Sequence, residues 1–158
     1  MKNYKVGLGF DVHKFSKKKK ELVLGGAIIP LARGLEAVSD GDVLLHAVTD
    51  ALCGAAGLGD IGDYFPPSNK ELKGIDSKKI AKFIFKKIVN RFEIINMDIT
   101  IIADKPPLVF HKKEIMKSLI NIFYISAINL KIKSKEGLNV LGGKDAISCL
   151  AMVLVKQI

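Results

Sequence analysis

Asp11-Val12-His13 closes an apolar, glycine-containing run, and alternate residues of an extended strand point the same way. A carboxylate and an imidazole there can converge on one ion. A third candidate is His46, a polar ring inside the apolar stretch Val43-Leu44-Leu45-His46-Ala47-Val48 that needs a partner. One carboxylate and two imidazoles with an open fourth position are the ligand set of a catalytic zinc site; an ordinary hydrogen bond would equally satisfy a lone buried histidine. Gly59-Asp60-Ile61-Gly62 is a turn whose glycines permit close backbone approach and whose amides can face phosphate oxygens, although such sequences mostly serve simply as turns. In Lys131-Ile132-Lys133-Ser134-Lys135-Glu136, period-two alternation places Lys131, Lys133 and Lys135 on one side of a strand. That row suits phosphates, with Glu136 able to hold a hard divalent cation, and it would equally guard an exposed sheet edge.

The elements that must position these groups follow from pattern. Strands are expected over 4–12, 21–30, 97–103, 129–134 and 146–155, with Lys17 to Lys20 as a solvated hairpin tip. Ser39-Asp40-Gly41-Asp42 signals a helix start, with Asp42 as a cap, and the helix that follows should run to about residue 58 and be buried. Asp42 and Asp50, four residues before and after His46, could orient its imidazole or merely cap and solvate. A loop over 57–73 precedes an amphipathic helix from Asp76 or Ser77 to about residue 90, and a third helix spans about 112–127. The order predicts one domain, 1–158, an α+β sandwich with helices packed on a single mainly β sheet.

Composition narrows the function. With 158 residues, 49% apolar and 26% charged, the chain can bury a sizeable core. No run approaches the roughly 18–20 apolar residues of a membrane span, and the first residues lack a signal-peptide apolar stretch, so a soluble, cytoplasmic protein without membrane contact is expected. Cys53 and Cys149 lie in apolar runs and read as buried free thiols. The net charge of +9 is almost all lysine, with arginine only at Arg33 and Arg91, which argues against a nucleic-acid reader and for attraction of an anionic substrate.

Taken together, Gly9-Phe10-Asp11-Val12-His13, Ser39-Asp40-Gly41-Asp42, His46 with Thr49-Asp50-Ala51, and Gly59-Asp60-Ile61-Gly62 with Phe65-Pro66 resemble the 2-C-methyl-D-erythritol 2,4-cyclodiphosphate synthase family in order and spacing. The resemblance extends over the whole chain, including Asp98 to Ala103 and 131–158. It implies a homotrimer with active sites between subunits and zinc at Asp11, His13 and His46. It implies the substrate 4-diphosphocytidyl-2-C-methyl-D-erythritol 2-phosphate, whose 2-phosphate attacks the distal phosphorus of its diphosphate and expels CMP, in the non-mevalonate isoprenoid pathway. By the same resemblance, magnesium or manganese at Glu136 bridges the diphosphate, and Asp60, Ile61 and Gly62 hold the methylerythritol phosphate with Phe65 nearby. The loop through Ala103, Lys105, Pro107, Leu108 and Val109 surrounds the cytosine. Asp11, His13, Val38, Ser39, Lys133, Ser134, Lys135 and Glu136 face the substrate, with Ser134 stabilising the transition state.

Several positions depart from that pattern. Val38 stands where the family usually has a histidine, leaving only backbone donors. A threonine-rich stretch is replaced by Lys133-Ser134-Lys135, with Lys133 or Lys135 available to replace lost donors by charge. Pro107 takes the place of a lysine, with Lys105 close by. Gly143 takes the place of an arginine, with Lys144 adjacent, and Pro67 that of an aspartate. The alternative these changes suggest is a catalytically weakened trimer that binds metal and nucleotide or isoprenoid diphosphate.

Overall fold

The structure is a computed structural model and describes residues 3–30 and 33–158. Its frame is a four-stranded sheet of β1 (Tyr4–Lys14), β6 (Ala146–Gln157), β4 (Phe92–Ile102) and β5 (Ile128–Lys133), in that order. β6 runs antiparallel to both β1 and β4, and β5 pairs parallel with β4. Helix α1 (Val43–Ala56) lies on β1 and β6, α2 (Ser77–Ile88) packs beside α1, and α3 (Lys112–Phe123) touches α2 and β5. The α+β architecture expected from the element order is the one observed, except that residues 21–30 form a small second sheet of their own instead of joining a single one.

The two rows of β1 explain how α1 is seated. Gly7, Gly9, Asp11 and His13 occupy the helix side, while Tyr4, Val6, Leu8, Phe10 and Val12 are exposed on the other. A Cβ at Gly7 would stand 1.8 Å from the Ala51 carbonyl oxygen, and one at Gly9 would stand 1.9 Å from that of Ala47. Helix backbone therefore rests directly on strand backbone, which only glycine allows. Small residues on α1 complete this close approach, and twelve of its fourteen residues are buried, among them His46.

Several boundaries differ from the sequence expectation. The run 21–30 is two strands, β2 (Leu22–Leu24) and β3 (Ala27–Ile29), because Gly25 and Gly26 take positive φ (61° and 77°) and fold it into a hairpin. β4 begins at Phe92, five residues earlier than expected, because a bulge between Ile94 and Asn96 breaks the alternation. α3 ends at Phe123, where Tyr124 turns left-handed (φ 56°) and donates its amide to the Ile120 carbonyl. Lys17 to Lys19 are exposed, but Lys20 reaches back to donate to the carbonyls of Leu35 (2.9 Å) and Ser39 (3.3 Å). Cys53 and Cys149 are buried free thiols.

Candidate metal centre and active-site halves

The end of β1 delivers Asp11 and His13, and the first turn of α1 delivers His46. Asp11 Oδ2 lies 2.8 Å from His13 Nε2 and 3.0 Å from His46 Nδ1, and the two nitrogens are 3.4 Å apart. Three donor atoms from two elements thus converge on one point at the wall of a cavity of about 360 Å³. Burial alone would raise the Asp11 carboxyl, but hydrogen bonds from His13 and His46 outweigh it and hold the group well below the usual carboxylate range. Burial works to lower the His46 imidazole, and the hydrogen bond and charge of Asp11 reverse that and raise it. One oxygen and two nitrogens facing a cavity fit a borderline divalent cation such as zinc.

The aspartates flanking His46 do other work. The fully buried Asp42 caps α1 through Leu45 N (2.9 Å) and also accepts the amides of Gly25 (2.9 Å) and Gly26 (2.6 Å), joining the β2–β3 turn to the helix. Burial pushes its carboxyl up to about 6 against the pull of those amides. Asp50 accepts the Ile61 amide (2.9 Å) and so docks the Gly59–Gly62 turn on α1. In place of either aspartate, the Ser39 and Ser77 hydroxyls stand 3.2 Å and 3.0 Å from His46 Nε2. Sequence reasoning missed Ser77, and also Asp40, which binds it; both look like ordinary helix-start residues and they are 37 positions apart.

The turn at Asp60 differs from the phosphate cradle that its sequence suggested. Asp60 Oδ1 already accepts the amides of Gly62 (2.7 Å) and Asp63 (3.2 Å), so these donors are engaged within the turn. Among the described residues Asp60 Oδ2 has no partner, which leaves an acceptor for hydroxyl groups. Ile61, Gly62, Phe65, Val38 and Ser39 line the cavity with the triad, and Phe65 is held edge-on by Phe83 of α2 at 5.2 Å between ring centroids.

The remaining sequence-expected residues gather elsewhere. Ser134 and Glu136 follow β5 at the opposite edge of the sheet from β1, three strand spacings or about 14 Å away. The Ser134 hydroxyl donates to Glu136 Oε1. The Ala103 amide donates to the Lys133 carbonyl (2.9 Å) and the Lys135 amide to Asp104 Oδ1 (2.7 Å), so the 103–109 loop is tied to 133–136. Within that loop Ala103 and Leu108 are buried while Lys105, Pro107 and Val109 are exposed. Lys105 and Pro107 line a second hollow with Phe15, Arg33 and Lys144.

The expected cationic row is reduced to one lysine. Lys131 is paired with Asp98 at 2.6 Å, and that contact, with Asn129, lowers the Asp98 carboxyl. Lys133 is exposed. Lys135, only 3% exposed, is corrected from a substrate contact to an internal residue: the strand ends at Lys133, and its ammonium turns inward onto the carbonyls of Leu141 (3.2 Å), Gly143 (2.5 Å) and Ala146 (2.8 Å). An ammonium has three donors, and all three are used.

Known proteins share this fold. The YgbB family matches residues 4–156. The chain belongs to this family. A relative from Treponema denticola, 42% identical over 154 residues and covering 96% of this chain and 95% of its own, is a 2-C-methyl-D-erythritol 2,4-cyclodiphosphate synthase. The bifunctional IspDF of Campylobacter jejuni superposes with a TM-score of 0.93 at 36% identity; the match covers 100% of this chain and 43% of that longer one. A CDP complex of IspF from Plasmodium falciparum superposes at 0.83 with 32% identity, over 98% of this chain and 97% of that one. Among the described residues no helix is long and apolar enough to cross a membrane.

Proposed function

We infer that the protein is a 2-C-methyl-D-erythritol 2,4-cyclodiphosphate synthase, a lyase of isoprenoid biosynthesis that acts as a zinc-dependent homotrimer in the cytoplasm. The observation that carries the reading is the Asp11–His13–His46 cluster on a cavity, in a chain similar over nearly its full length to synthases of that name. In the reaction, an oxygen of the substrate's 2-phosphate forms a bond to the distal phosphorus of the diphosphate. The bond from that phosphorus to the bridging oxygen breaks, CMP leaves with that oxygen, and no water is consumed.

Asp11, His13 and His46 would hold the zinc. A divalent cation bound there supplies positive charge beside the attacked phosphorus, where two anionic groups must meet. Ser39 offers a hydroxyl at the same wall, whereas the Val38 side chain brings no donor. Asp60 Oδ2 accepts from the methylerythritol hydroxyls, and Phe65 supplies an apolar wall. Ser134, Lys133 and Glu136, with magnesium or manganese at Glu136, complete the site, and the 103–109 loop surrounds the cytosine; the CDP complex of the Plasmodium relative supports a cytidine nucleotide as the ligand.

Two features support the trimer. The triad and the Ser134–Glu136 segment lie at opposite sheet edges of one chain, too far apart for cations at both to meet on one diphosphate, which supports a site built from one half of each of two copies. The outer row of β1, continued by Met152, leaves an apolar face that a soluble chain would cover by assembly. Val38, 43% exposed at the cavity, favours the second reading, a weakened trimer that binds metal and nucleotide without efficient turnover. Phosphorus NMR of the purified protein with zinc, magnesium and the cytidyl substrate decides between them. CMP and the cyclic diphosphate are expected; zinc-loaded protein that forms neither would support the weakened trimer.

A further inference from the structure

Behind the triad, on the side of His46 away from the cation ligands, lies a chain of hydrogen bonds with a defined direction. Asp40 Oδ1 is 2.5 Å from Ser77 Oγ, and Asp40 Oδ2 accepts the Ser77 amide at 3.0 Å. The Asp40 amide in turn donates to the Ile75 carbonyl at 3.0 Å, so the loop before α1 and the start of α2 are clasped together. A carboxylate only accepts, so the single proton of the Ser77 hydroxyl goes to Asp40. Ser77 Oγ is then left as an acceptor facing His46 Nε2 at 3.0 Å, so Nε2 carries a hydrogen both when Nδ1 donates to Asp11 and when Nδ1 gives up its proton to ligate a cation.

We propose that Ser77 and Asp40 are positioning residues for the cation site: Asp40 orients the Ser77 hydroxyl, and Ser77 holds the His46 ring with its Nδ1 lone pair directed between Asp11 and His13. This rests on the reading that Asp11, His13 and His46 hold a cation. A ring nitrogen can ligate a metal only if its hydrogen sits on the other nitrogen, and a fixed acceptor there sets both the tautomer and the ring angle. His46 is 8% exposed, which leaves little room for water to take over that role.

The same geometry separates the two serines. Ser39 Oγ stands 3.2 Å from Nε2 and accepts the Gly41 amide at 3.1 Å, and among the described residues nothing accepts its proton. Because Nε2 already bears hydrogen, the Ser39 hydroxyl is free to donate into the cavity that it lines. Ser77, at 0% exposure, serves the histidine, and Ser39 serves the substrate.

The test is zinc affinity, measured on metal-stripped full-length protein by competition with a chromophoric chelator, with cobalt absorption as a second reading of ligand geometry. Ser77→Ala is expected to weaken zinc binding about 10- to 100-fold, with reduced intensity of the cobalt bands. Ser77→Thr, which keeps the hydroxyl, should restore binding. Asp40→Asn keeps the shape but can accept only one of the two Ser77 bonds; it should also weaken zinc and carries the test if Ser77→Ala does not fold. Zinc binding weakened by His46→Ala but unchanged in folded Ser77→Ala and Asp40→Asn overturns the proposal alone. Zinc binding that His46→Ala leaves unchanged overturns the cation reading and the proposal together.

Discussion

The two edges of the sheet are built on different physical principles. At the β1 edge, Gly7 and Gly9 bring strand backbone against the α1 carbonyls, and Asp11, His13 and His46 are short groups on that rigid contact. At the β5 edge, lysines in a regular alternation meet three fates: Lys131 pairs with Asp98, Lys133 stays exposed, and Lys135 turns inward. Short side chains on a close-packed frame leave few places for their atoms to go, whereas a long flexible stem finds whatever partner lies within reach. Position in sequence therefore determines chemistry more strictly at the first edge than at the second.

The strongest way to break this contrast is Gly9→Ala. Its methyl group would fall inside the Ala47 carbonyl, so α1 must move off β1. We expect a loss of about 3 kcal/mol or more in denaturant-induced unfolding and the loss of zinc binding with it. A variant as stable as the parent would show that the helix is not seated by backbone contact.

At the other edge, Lys135→Met should cost about 2 kcal/mol, because buried carbonyls lose their donor, and should expose 137–146 to proteolysis before the sheet core opens. Lys131→Met, which removes a half-exposed pair with Asp98, should change stability by less than about 1 kcal/mol. Equal effects of the two substitutions on unfolding midpoints would erase the distinction between their roles. Smallest of all is the expected reactivity of the thiols. Burial pushes Cys53 up to about 12 and raises Cys149 as well, so the native protein at pH 8 should not react with a disulfide reagent until denaturant is added. Rapid labelling of native protein would show an opening of the α1–β6 core.

What the sequence revealed follows the same division. Asp11 and His13 stood out because strand alternation is strict, and His46 because a polar ring in an apolar helix needs a reason. The Asp42 cap was legible from the helix-start pattern. Four features were not. The Gly25-Gly26 turn was hidden in an apolar run, and the bulge near Asn96 concealed the start of β4. The Lys135 alternation failed because the strand had already ended at Lys133. Ser77 and Asp40 carried no local signal at all, since their partnership exists only once α2 lies beside α1.

The central claim is that one copy's triad works with another copy's Ser134–Glu136 segment. It is tested most directly by co-expressing two individually inactive variants, His46→Ala and Glu136→Ala, and measuring CMP release from the purified mixed assembly. In a cyclic trimer assembled at random, about a quarter of the interfaces combine an intact triad with an intact edge. The account predicts recovery of about a quarter of the parent turnover; a mixed assembly as inactive as either variant alone would contradict it.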